Sequence, residues 1–387
     1  MLKPNVVVFD YNITLNSPAG SCVRAEVAGL CSAFEVTVFA DCFEDPSSGH
    51  IRWVRVPCIQ KPVVLRDWMF AFLSPLFFRL YTWRRGRPAL VQTTQGQFIG
   101  ADVAYAHFCH RAYLKNQWHQ GGAIGLRRLA RFIGHNRNAF REARAFRRAR
   151  VVVVPSAGLE LELLRTYPDL DGRIVRIPNP VDIQRFQRPE TFDLDERRRE
   201  LGFEKSDIVI VFVALGDFAR KGLRFILQGL AKASNPRLKL LVVGGGAGEI
   251  SQYSQMAQAL DVRTQTVFAG FKSDVRPYLW AASLFCFPTA YEIFPLAALQ
   301  AAAAGLPLLA TRVYGVEEFL VDGHNGWFIE REAESVGAAL VKAAADPDGL
   351  ARMGAAAQQS AMPYDAAQFP RRWRELFQQL LERSPDE

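Results

Sequence analysis

The sequence lacks the cysteine and histidine patterns that mark metal-binding and disulfide-rich proteins. Its six cysteines are scattered without a CxxC pair, and no histidine stands at metal-ligand spacing from them. Neither a zinc site nor a disulfide framework is therefore predicted. The N-terminus also lacks the long apolar core and the small-residue cleavage site of a signal peptide. A reducing cytoplasm is the predicted environment.

Long hydrophobic runs are missing as well. The longest uncharged apolar stretch, residues 68–78, has 11 residues and contains Pro75, whereas a membrane-spanning helix needs about 20. Two interpretations of this stretch remain open. It forms a helix buried inside its domain, or it lies in a membrane interface, which its aromatic side chains and the arginines that follow would suit. Those arginines are Arg79, Arg84, Arg85 and Arg87.

The chain has the length and composition of a folded protein with two domains. Domains usually hold about 100 to 200 residues, and this chain has 387. Hydrophobic residues make up 49% and charged residues 22%, which excludes a disordered or fibrous protein. Residues 1–188 carry 26 Lys+Arg and 14 Asp+Glu, hence +12, and the remainder carries 21 and 25, hence −4. The first half is therefore expected to meet nucleic acid, a membrane surface or a phosphorylated substrate.

Short apolar runs alternate with longer helical patterns along the chain. This alternation predicts parallel sheets, and the Pro/Gln-rich residues 177–190 mark a linker. We therefore predict two doubly wound α/β domains that face a central cleft, residues 1–185 and 190–365. An amphipathic helix within residues 366–387 is expected to pack back on the first domain. The predicted strands are residues 6–9, 36–39, 89–92, 151–155, 208–214, 238–243, 266–268, 284–288 and 307–310.

Two segments of the second half carry residue types that bind phosphate. In residues 240–251 a strand runs through GGGAGE into a helix, so backbone amides near Gly244 and Gly246 could face a phosphate. An ordinary tight turn is the alternative, and the G-x-G-x-x-G spacing of dinucleotide-binding enzymes is absent. Residues 211–223 place Arg220 and Lys221 after a buried strand, where open α/β sheets bind ligands. A solvated pair on a helix surface is the alternative there.

A third segment, residues 289–312 with the sequence TAYEIFPLAALQAAAAGLPLLATR, carries a resemblance to a known family. It resembles the E-x(7)-E segment of the family 4 retaining glycosyltransferases (glycosyl transferase group 1), which have the GT-B fold. The residues at the family's spacing are Glu292, Phe294, Gln300, Gly305 and Pro307. The resemblance covers most of the chain, including IPNPVDIQRF at residues 177–186, and is strongest over residues 205–330.

The resemblance implies a metal-independent enzyme of the hexosyltransferase type. Such an enzyme moves a sugar from a nucleotide-sugar, with UDP favoured, to a hydroxyl of a glycan or lipid-linked acceptor, and the configuration is retained. No cofactor is implied, since the nucleotide-sugar is a co-substrate. The first domain would bind the acceptor, the second would bind the nucleotide-sugar, and the pathway would be cell-envelope or polysaccharide biosynthesis.

The resemblance also assigns roles on the second domain. Arg220 and Lys221 would stabilise the departing diphosphate, and Glu292 would bond hydroxyls of the donor sugar. Gln300 stands in place of the second glutamate, which commonly grips the ribose. The backbone amides expected to face the phosphate or the sugar are those of Phe294, Leu296 and Ala297. Pro295 stands where members usually have glycine, and proline donates no N–H.

In the first domain the resemblance points to a histidine and a glycine. His107 and His110 follow a strand in ADVAYAHFCHRAYL, and His107 is chosen because it comes first. A purely structural histidine is the alternative. Gly20 matches the flexible glycine loop under the diphosphate, although the usual Gly-Gly is here Ala19-Gly20.

Residues 125–150 hold nine arginines against one acid, Glu142. Three interpretations remain open: contact with anionic lipid headgroups, a solvated helix, or nucleic acid. Because no nucleic-acid module accompanies the arginines, we expect no nucleic-acid partner. The expected location is the cytoplasm, with the protein peripheral on the inner face of the membrane. The arginines are Arg127, Arg128, Arg131, Arg137, Arg141, Arg144, Arg147, Arg148 and Arg150.

Two rival functions fit the same sequence. A catalytically silent GT-B relative would bind a nucleotide-sugar or a partner protein, and Pro295 and Gln300 motivate this alternative. A GT-B epimerase or phosphorylase is the other.

Overall fold

The computed structural model describes residues 3–47, 49–60, 63–118 and 125–382, apart from the side chains of residues 63, 64, 126 and 127. These residues form two compact units. The N-terminal unit contains the described residues up to Pro180 and those after Asp365, and the C-terminal unit contains the residues between them. The division falls inside the predicted linker. The last five residues of the predicted terminal segment, 383–387, lie outside the described residues.

Seven parallel strands form the main sheet of the N-terminal unit, beside a two-stranded pair. Its strands are β1 Asn5–Phe9, β2 Asn12–Ile13, β3 Glu35–Ala40, β4 Cys42–Phe43, β5 Arg52–Arg55, β6 Leu90–Thr94, β7 Val103–Tyr105, β8 Val151–Val154 and β9 Ile174–Arg176. The order in the main sheet is β5-β3-β1-β6-β7-β8-β9, and β2 pairs with β4. Strands such as β8 (VVVV) are apolar throughout and fully buried, as is typical of parallel strands covered on both faces. The helices before the linker are α1 Pro18–Leu30, α2 Val63–Arg85, α3 His110–Asn116, α4 Gly125–Arg148 and α5 Ala157–Thr166.

The C-terminal unit has a six-stranded parallel sheet. Its strands are β10 Ile208–Ala214, β11 Leu238–Gly244, β12 Thr266–Gly270, β13 Leu284–Phe287, β14 Leu308–Ala310 and β15 Gly326–Phe328, in the order β12-β11-β10-β13-β14-β15. Its helices are α6 Ile183–Phe186, α7 Leu194–Glu200, α8 Phe218–Lys221, α9 Leu223–Ala233, α10 Ala247–Ala259, α11 Arg276–Trp280, α12 Leu296–Ala303, α13 Val316–Phe319, α14 Ala333–Ala345 and α15 Pro347–Ala361.

The terminal helix α16, Phe369–Glu382, belongs to the N-terminal unit. Its apolar side buries Trp373 completely, with the ring of Tyr105 4.9 Å away. Phe377 lies 5.8 Å from Phe34, just after α1, and Arg374 donates to the Gly29 carbonyl at 3.1 Å. The helix is therefore part of the core of this unit.

Each of the nine predicted strands is present, with bounds that differ by at most two residues. The prediction of two α/β domains with parallel sheets is confirmed. The strands that the prediction omitted are short or lie at sheet edges, such as β5, whose RWVR sequence is mostly exposed.

Residues 68–78 lie within α2, which has two different faces. Phe70, Ser74 and Tyr81 are buried on one side. On the other side, six large apolar side chains are exposed by 42% to 77% and repeat every three or four residues, so they share one face. We call this the apolar face, and its members are Leu65, Trp68, Phe72, Leu76, Leu80 and Trp83. Of the two interpretations of this stretch, the helix buried inside its domain does not hold for this face. None of the described helices is both long and apolar enough to cross a bilayer.

Both main sheets reverse their winding direction at one point. This point lies between β1 and β6 in the N-terminal sheet and between β10 and β13 in the C-terminal sheet. Open α/β sheets bind ligands outside the carboxyl ends of the strands at such switch points. The residues after these four strands are therefore the first place to look for a site.

Candidate functional site

Charged side chains cluster at the switch point of the C-terminal sheet. Arg220 and Lys221 end helix α8, which follows β10, and Glu292 follows β13. The strands β10 and β13 are paired in parallel, so their carboxyl ends lie side by side. The fold thereby brings together residues that are 71 or 72 positions apart.

Glu292 is the centre of this cluster. Its Oε1 accepts hydrogen bonds from Lys221 Nζ, from Arg220 Nη1 at 3.2 Å and from Thr289 Oγ1 at 3.0 Å. Arg220 is held further by Asp217, whose Oδ2 lies 3.0 Å from its Nε. The side chains of Arg220, Lys221 and Glu292 are 12% to 21% exposed, so they are shielded from bulk water and still accessible to a ligand.

A third cation, Arg331, bonds to the backbone next to the cluster. Arg331 donates from Nε to the Pro288 carbonyl at 3.1 Å, and from Nη2 to the carbonyls of Ala219 at 2.6 Å and Arg220 at 3.1 Å. These bonds tie the end of α8 to the end of β13. Arg331 therefore fixes the position of the two residues predicted to bind diphosphate.

The charged groups of the cluster shift one another's pKa values. Burial alone would raise the pKa of Glu292, but Lys221 and Arg220 outweigh it and hold this pKa below its ordinary value. Burial lowers the pKa of Lys221, with Glu292 opposing the shift and Arg220 adding to it. Lys221 and Arg220 share the Glu292 carboxylate, Arg220 also contacts Asp217, and Glu249 accepts the Phe218 N–H at 3.0 Å at the start of α8. Cations that are held in place in a partly dry site suit an anionic ligand.

The glycine-rich turn lies between β11 and α10. Gly244 has a φ of +107°, and a Cβ on it would come within 1.8 Å of the Ala214 carbonyl oxygen, so only glycine fits. Gly246 is exposed and caps α10, with no side chain bonded at the cap. The amides at the start of α10 thus have no capping side chain, as a phosphate-facing turn requires.

Helix α12 begins directly after Pro295 and has no side-chain cap. The amides of Leu296 and Ala297 belong to its first turn, in which an α-helix offers no internal partner. Phe294 is buried, and its ring centroid lies 5.4 Å from that of Tyr364. Its side chain therefore packs in the hydrophobic core directly before α12 begins. Gln300 is half-buried on α12, and its side chain makes no hydrogen bond within the described part of the chain.

A cavity of about 220 Å³ lies at the switch point of the N-terminal sheet. Asp10 follows β1, Gly96 follows β6 and His107 follows β7, and all three line it. Helix α4 contributes Arg137 and Arg141 to its wall. The N-terminal unit therefore has a polar site of its own.

Metal ligands are not grouped in the part of the chain that the structure describes. There, no three side chains of histidine, cysteine, aspartate or glutamate are placed so that they could hold a metal ion.

Two family models match the chain, one on each unit. The model described as "Glycosyl transferases group 1" matches residues 193–360, and that described as "Glycosyltransferase Family 4" matches residues 19–185. The chain belongs to the family 4, group 1 glycosyltransferases. The resemblance stated from the sequence is confirmed.

Two curated relatives of this family 4 chain show how far the sequence similarity reaches. The lipopolysaccharide core biosynthesis glycosyltransferase LpsE of Rhizobium meliloti is 30% identical over 138 residues, which is 35% of this chain and 40% of that protein. The alpha-maltose-1-phosphate synthase of Mycolicibacterium smegmatis is 28% identical over 245 residues, 58% of this chain and 62% of that protein. The chain thus spans less than two thirds of the length of these relatives.

Solved structures match this family 4 chain over nearly its whole length. WaaG, a glycosyltransferase involved in lipopolysaccharide biosynthesis, matches with a TM-score of 0.77 at 19% identity, covering 96% of this chain and 99% of that one. Anabaena HepE in complex with UDP and glucose matches with a TM-score of 0.72 at 17% identity, covering 97% and 100%. These matches confirm the predicted GT-B fold.

The two histidines singled out from the sequence lie at the cavity of the N-terminal unit. Both His107 and His110 line it. His107 Nε2 has no hydrogen-bond partner, and burial lowers the pKa of this imidazole to about 3, so the ring is neutral. His110 Nδ1 lies 2.9 Å from His135 Nδ1. His107 is therefore the histidine with a free nitrogen, and His110 is already engaged.

Gly20 does not lie in a flexible loop, so that part of its interpretation is wrong. It belongs to the first turn of α1, where it is buried and its N–H donates to Ser17 Oγ at 3.2 Å. Ser17 acts as the N-cap of this helix, and a Ser at that position directs the following residues into helix instead of a loop.

Asp10 leads to a prediction about pH and stability. Burial raises the pKa of this carboxyl from 3.8 to about 6, and a backbone hydrogen bond from Asn12 opposes the shift. Between these two pH values the folded protein keeps a proton that the unfolded chain has released, so stability falls as the pH rises through this window. Asp10→Asn is expected to increase the free energy of unfolding by about 1 to 3 kcal/mol at about pH 7.5 and to change it little at about pH 4.

Urea unfolding of both proteins at the two pH values measures this difference. Asparagine keeps an oxygen that can accept the Asn12 bond, so the comparison isolates the charge. Equal effects of Asp10→Asn at both pH values would contradict the assignment.

Several residues of the site were missed by sequence reasoning. Asp10 ends the apolar run VVVFD and could have been noticed, because it directly follows a predicted strand. Asp217, with a φ of +59°, adopts a left-handed conformation that no sequence pattern signals. Arg331 acts through backbone carbonyls far away in the sequence, which leaves no local motif at all.

Proposed function

We propose that this protein transfers a sugar from a nucleotide-sugar to a hydroxyl of a glycan or lipid-linked acceptor, in cell-envelope or polysaccharide biosynthesis. The observation that carries the proposal is the convergence of Arg220, Lys221 and Glu292 at the switch point of the C-terminal sheet in a member of a glycosyltransferase family. Relatives named for lipopolysaccharide biosynthesis support the pathway. The HepE complexes with UDP and UDP-glucose support a UDP-sugar donor.

The cations are proposed to bind the diphosphate of the donor. When the glycosidic bond breaks, negative charge develops on the leaving diphosphate, and Arg220 and Lys221 stabilise it. Preformed hydrogen bonds to Glu292 and Asp217 hold both side chains in place before the donor arrives. Little reorganisation is then needed at the moment of reaction. Because these cations carry the charge stabilisation, we propose a metal-independent reaction without a cofactor.

The other residues of the C-terminal unit are proposed to position the donor. Glu292 would exchange its internal bonds for bonds to hydroxyls of the sugar. First-turn amides of α12 at Leu296 and Ala297 would face the phosphate or the sugar, together with the turn at Gly244 and Gly246. Phe294 would shape this turn, and Gln300 would bond the ribose. In the N-terminal unit, His107 would contact the donor sugar.

Retention of configuration is proposed to occur by attack on the same face as the leaving group. The transition state would resemble an oxocarbenium ion, as the family resemblance implies. The departing phosphate, held by Lys221 and Arg220, would then lie close to the incoming hydroxyl and could take its proton.

We also propose that the protein works while docked on an anionic membrane at the cytoplasmic side. The apolar face of α2 exposes Phe72 by 72% and Trp83 by 77%, and exposed arginines follow along the same helix. Helix α4 lies beside it, since Arg137 donates to the Asp67 carbonyl at 2.9 Å and stacks on Trp68. Exposed apolar residues also occur on α4, and they are Leu129, Phe132, Ile133 and Phe140. Apolar side chains flanked by arginines are typical of helices that lie in a membrane interface.

Nucleotide release tests the proposed reaction. Purified protein is incubated with UDP-, GDP- and ADP-sugars, with and without a membrane extract that contains acceptors. We expect release from a UDP-sugar that increases when the extract is added. Tight nucleotide binding without release from any donor would instead favour the catalytically silent relative, which Pro295 and Gln300 motivate.

Gln300 gives a prediction on donor affinity. A carboxylate at this position could form charge-assisted hydrogen bonds with the ribose, at about 1.5 to 3 kcal/mol, whereas an amide forms neutral ones at about 0.5 to 1.5 kcal/mol. Gln300→Glu should therefore lower the donor KM roughly fivefold, and Gln300→Ala should raise it. Hydrogen bonds to the ribose stabilise the bound donor and the transition state equally, so kcat should change little.

Steady-state kinetics with varied donor measure both parameters. Gln358 on α15 is a suitable control, because its amide donates to the Ala303 carbonyl and it lies outside the proposed site. If both Gln300 variants keep the wild-type nucleotide affinity, Gln300 does not touch the ribose.

A further inference from the structure

The cavity of the N-terminal unit contains a cation without an acidic partner. Arg141 Nε donates to the Gly96 carbonyl at 3.0 Å, and its Nη2 donates to the Gln97 carbonyl at 2.9 Å. Its Nη1 makes no hydrogen bond within the described residues, and no carboxylate there is close enough for an ion pair. Burying a charge that has no counter-charge is costly unless a ligand supplies one.

The position of Arg141 is built into the fold. Gly96 packs so closely on α4 that a Cβ on it would come within 2.7 Å of the Arg141 backbone. This approach brings two carbonyl oxygens within reach of one guanidinium. They fix its direction without neutralising its charge.

A second cation lines the same cavity. Arg137 lies one turn earlier on α4, and its Nη2 donates only to the Asp67 carbonyl at 2.9 Å. Burial and the charge of Arg137 lower the pKa of Arg141 to about 10, so Arg141 remains charged at neutral pH. Asp67 also lines the cavity; burial raises its pKa, whereas the charges of Arg66 and Arg137 lower it, so this carboxyl already has two cationic neighbours.

The rest of the cavity offers partners for hydroxyl groups. Asp10 is a buried carboxyl, Ser17 provides a hydroxyl, and His107 Nε2 has no partner. These groups suit a polyhydroxylated ligand, because each can donate or accept a hydrogen bond. The cavity thus combines cations with partners for hydroxyl groups.

We propose that this cavity binds an acceptor that carries a phosphate monoester on a sugar or another polyol, with Arg141 and Arg137 holding the phosphate. The inference rests on the proposed function, because it assigns the chemical class of the acceptor. Guanidinium groups match phosphate oxygens with parallel N–H donors, and a phosphate supplies the negative charge that Arg141 lacks. A free sugar phosphate and the phosphorylated headgroup of a lipid offer this same chemistry.

Phosphate binding tests the site directly. The full-length Lys221→Ala protein is titrated with inorganic phosphate by calorimetry, which weakens the cation cluster of the C-terminal unit as a competing site. Adding Arg141→Gln should weaken phosphate binding roughly 10- to 100-fold, whereas the matched control Arg144→Gln, an exposed arginine on the same helix, should not. If circular dichroism shows that Arg141→Gln does not fold, Arg137→Gln replaces it with the same expectation.

Two results of this titration would overturn the proposal. One is unchanged phosphate affinity in a folded Arg141→Gln or Arg137→Gln protein. The other is acetate binding as tight as phosphate binding, since acetate carries a single charge.

The acceptor itself is tested with cell extract. Nucleotide release that depends on the extract should disappear after the extract is treated with alkaline phosphatase, and it should be reduced in Arg141→Gln. Activity in the soluble fraction indicates a free sugar phosphate, and activity in the membrane fraction indicates a lipid headgroup. Release that survives both the phosphatase and Arg141→Gln would overturn the assignment of the acceptor and leave the transferase reaction standing. If wild-type protein releases no nucleotide at all, the proposed function fails, and the calorimetric titration still decides the phosphate site.

Discussion

Lys221→Ala is expected to reduce kcat about 100- to 1000-fold, which corresponds to about 3 to 4 kcal/mol of lost transition-state stabilisation. Lys221 Nζ is shielded from bulk water and is held by Glu292, so in the proposed reaction its charge would act on the leaving diphosphate with little screening. The variant should still fold, because Arg220 and Thr289 continue to bond the Glu292 carboxylate.

The matched control is Lys232→Ala on α9. Lys232 pairs with Glu334 at 2.8 Å on the surface of the same unit, and it is 52% exposed. Loss of such an exposed pair should cost less than about 1 kcal/mol of stability and leave kcat unchanged. Circular dichroism and melting curves report on folding, and nucleotide release reports on turnover. A folded Lys221→Ala protein with more than half of the wild-type turnover would refute the assignment.

Replacing Arg79, Arg84 and Arg85 by glutamine is expected to weaken binding to anionic vesicles roughly 100-fold. Each cation near an anionic membrane surface contributes about 1 kcal/mol, so three contribute about 3 kcal/mol. All three side chains are exposed and follow or flank the apolar face of α2. The apolar face itself should add insertion that salt does not screen, whereas the arginine contribution should fall as salt increases.

Co-sedimentation with vesicles of increasing anionic lipid content measures this effect. An equal change of charge on the C-terminal unit, Arg188→Gln with Arg199→Gln and Arg352→Gln, should alter binding much less, although these arginines are also exposed. Equal binding of the wild type to neutral and anionic vesicles, or binding to neither, would rule out the membrane proposal.

The convergence of the cation cluster in the C-terminal unit could be predicted because its residues follow buried parallel strands. Arg220 and Lys221 come after β10, and Glu292 comes after β13. The apolar runs IVIVFVA and LFCF identify these strands from sequence alone, and parallel strands end at one edge of a sheet. Strands without such a run were missed. The β15 strand has only the three residues GWF, and its place is determined by pairing with β14.

The cavity of the N-terminal unit could not be predicted for a different reason. Arg141 is one of nine arginines in a single basic segment, and the sequence gives no sign that it differs from Arg144. Arg141 is turned inward only because it bonds to the carbonyls of Gly96 and Gln97, whereas Arg144 stays exposed. Glu142, the one acid of the segment, is likewise explained only by tertiary contacts, since it accepts the backbone N–H groups of His110 and Arg111.

Transfer of a radiolabelled sugar is the most direct test of the central claim, which is that this chain moves a sugar from a nucleotide to an acceptor. Wild-type protein, Lys221→Ala and Lys232→Ala are each incubated with labelled UDP-sugars and cell extract, and label is measured in products separated from the donor. We expect label in a product with the wild type and with Lys232→Ala, and a reduction of at least about 100-fold with Lys221→Ala. The absence of labelled product from UDP-, GDP- and ADP-sugars alike, in a protein that binds nucleotide, would contradict the account.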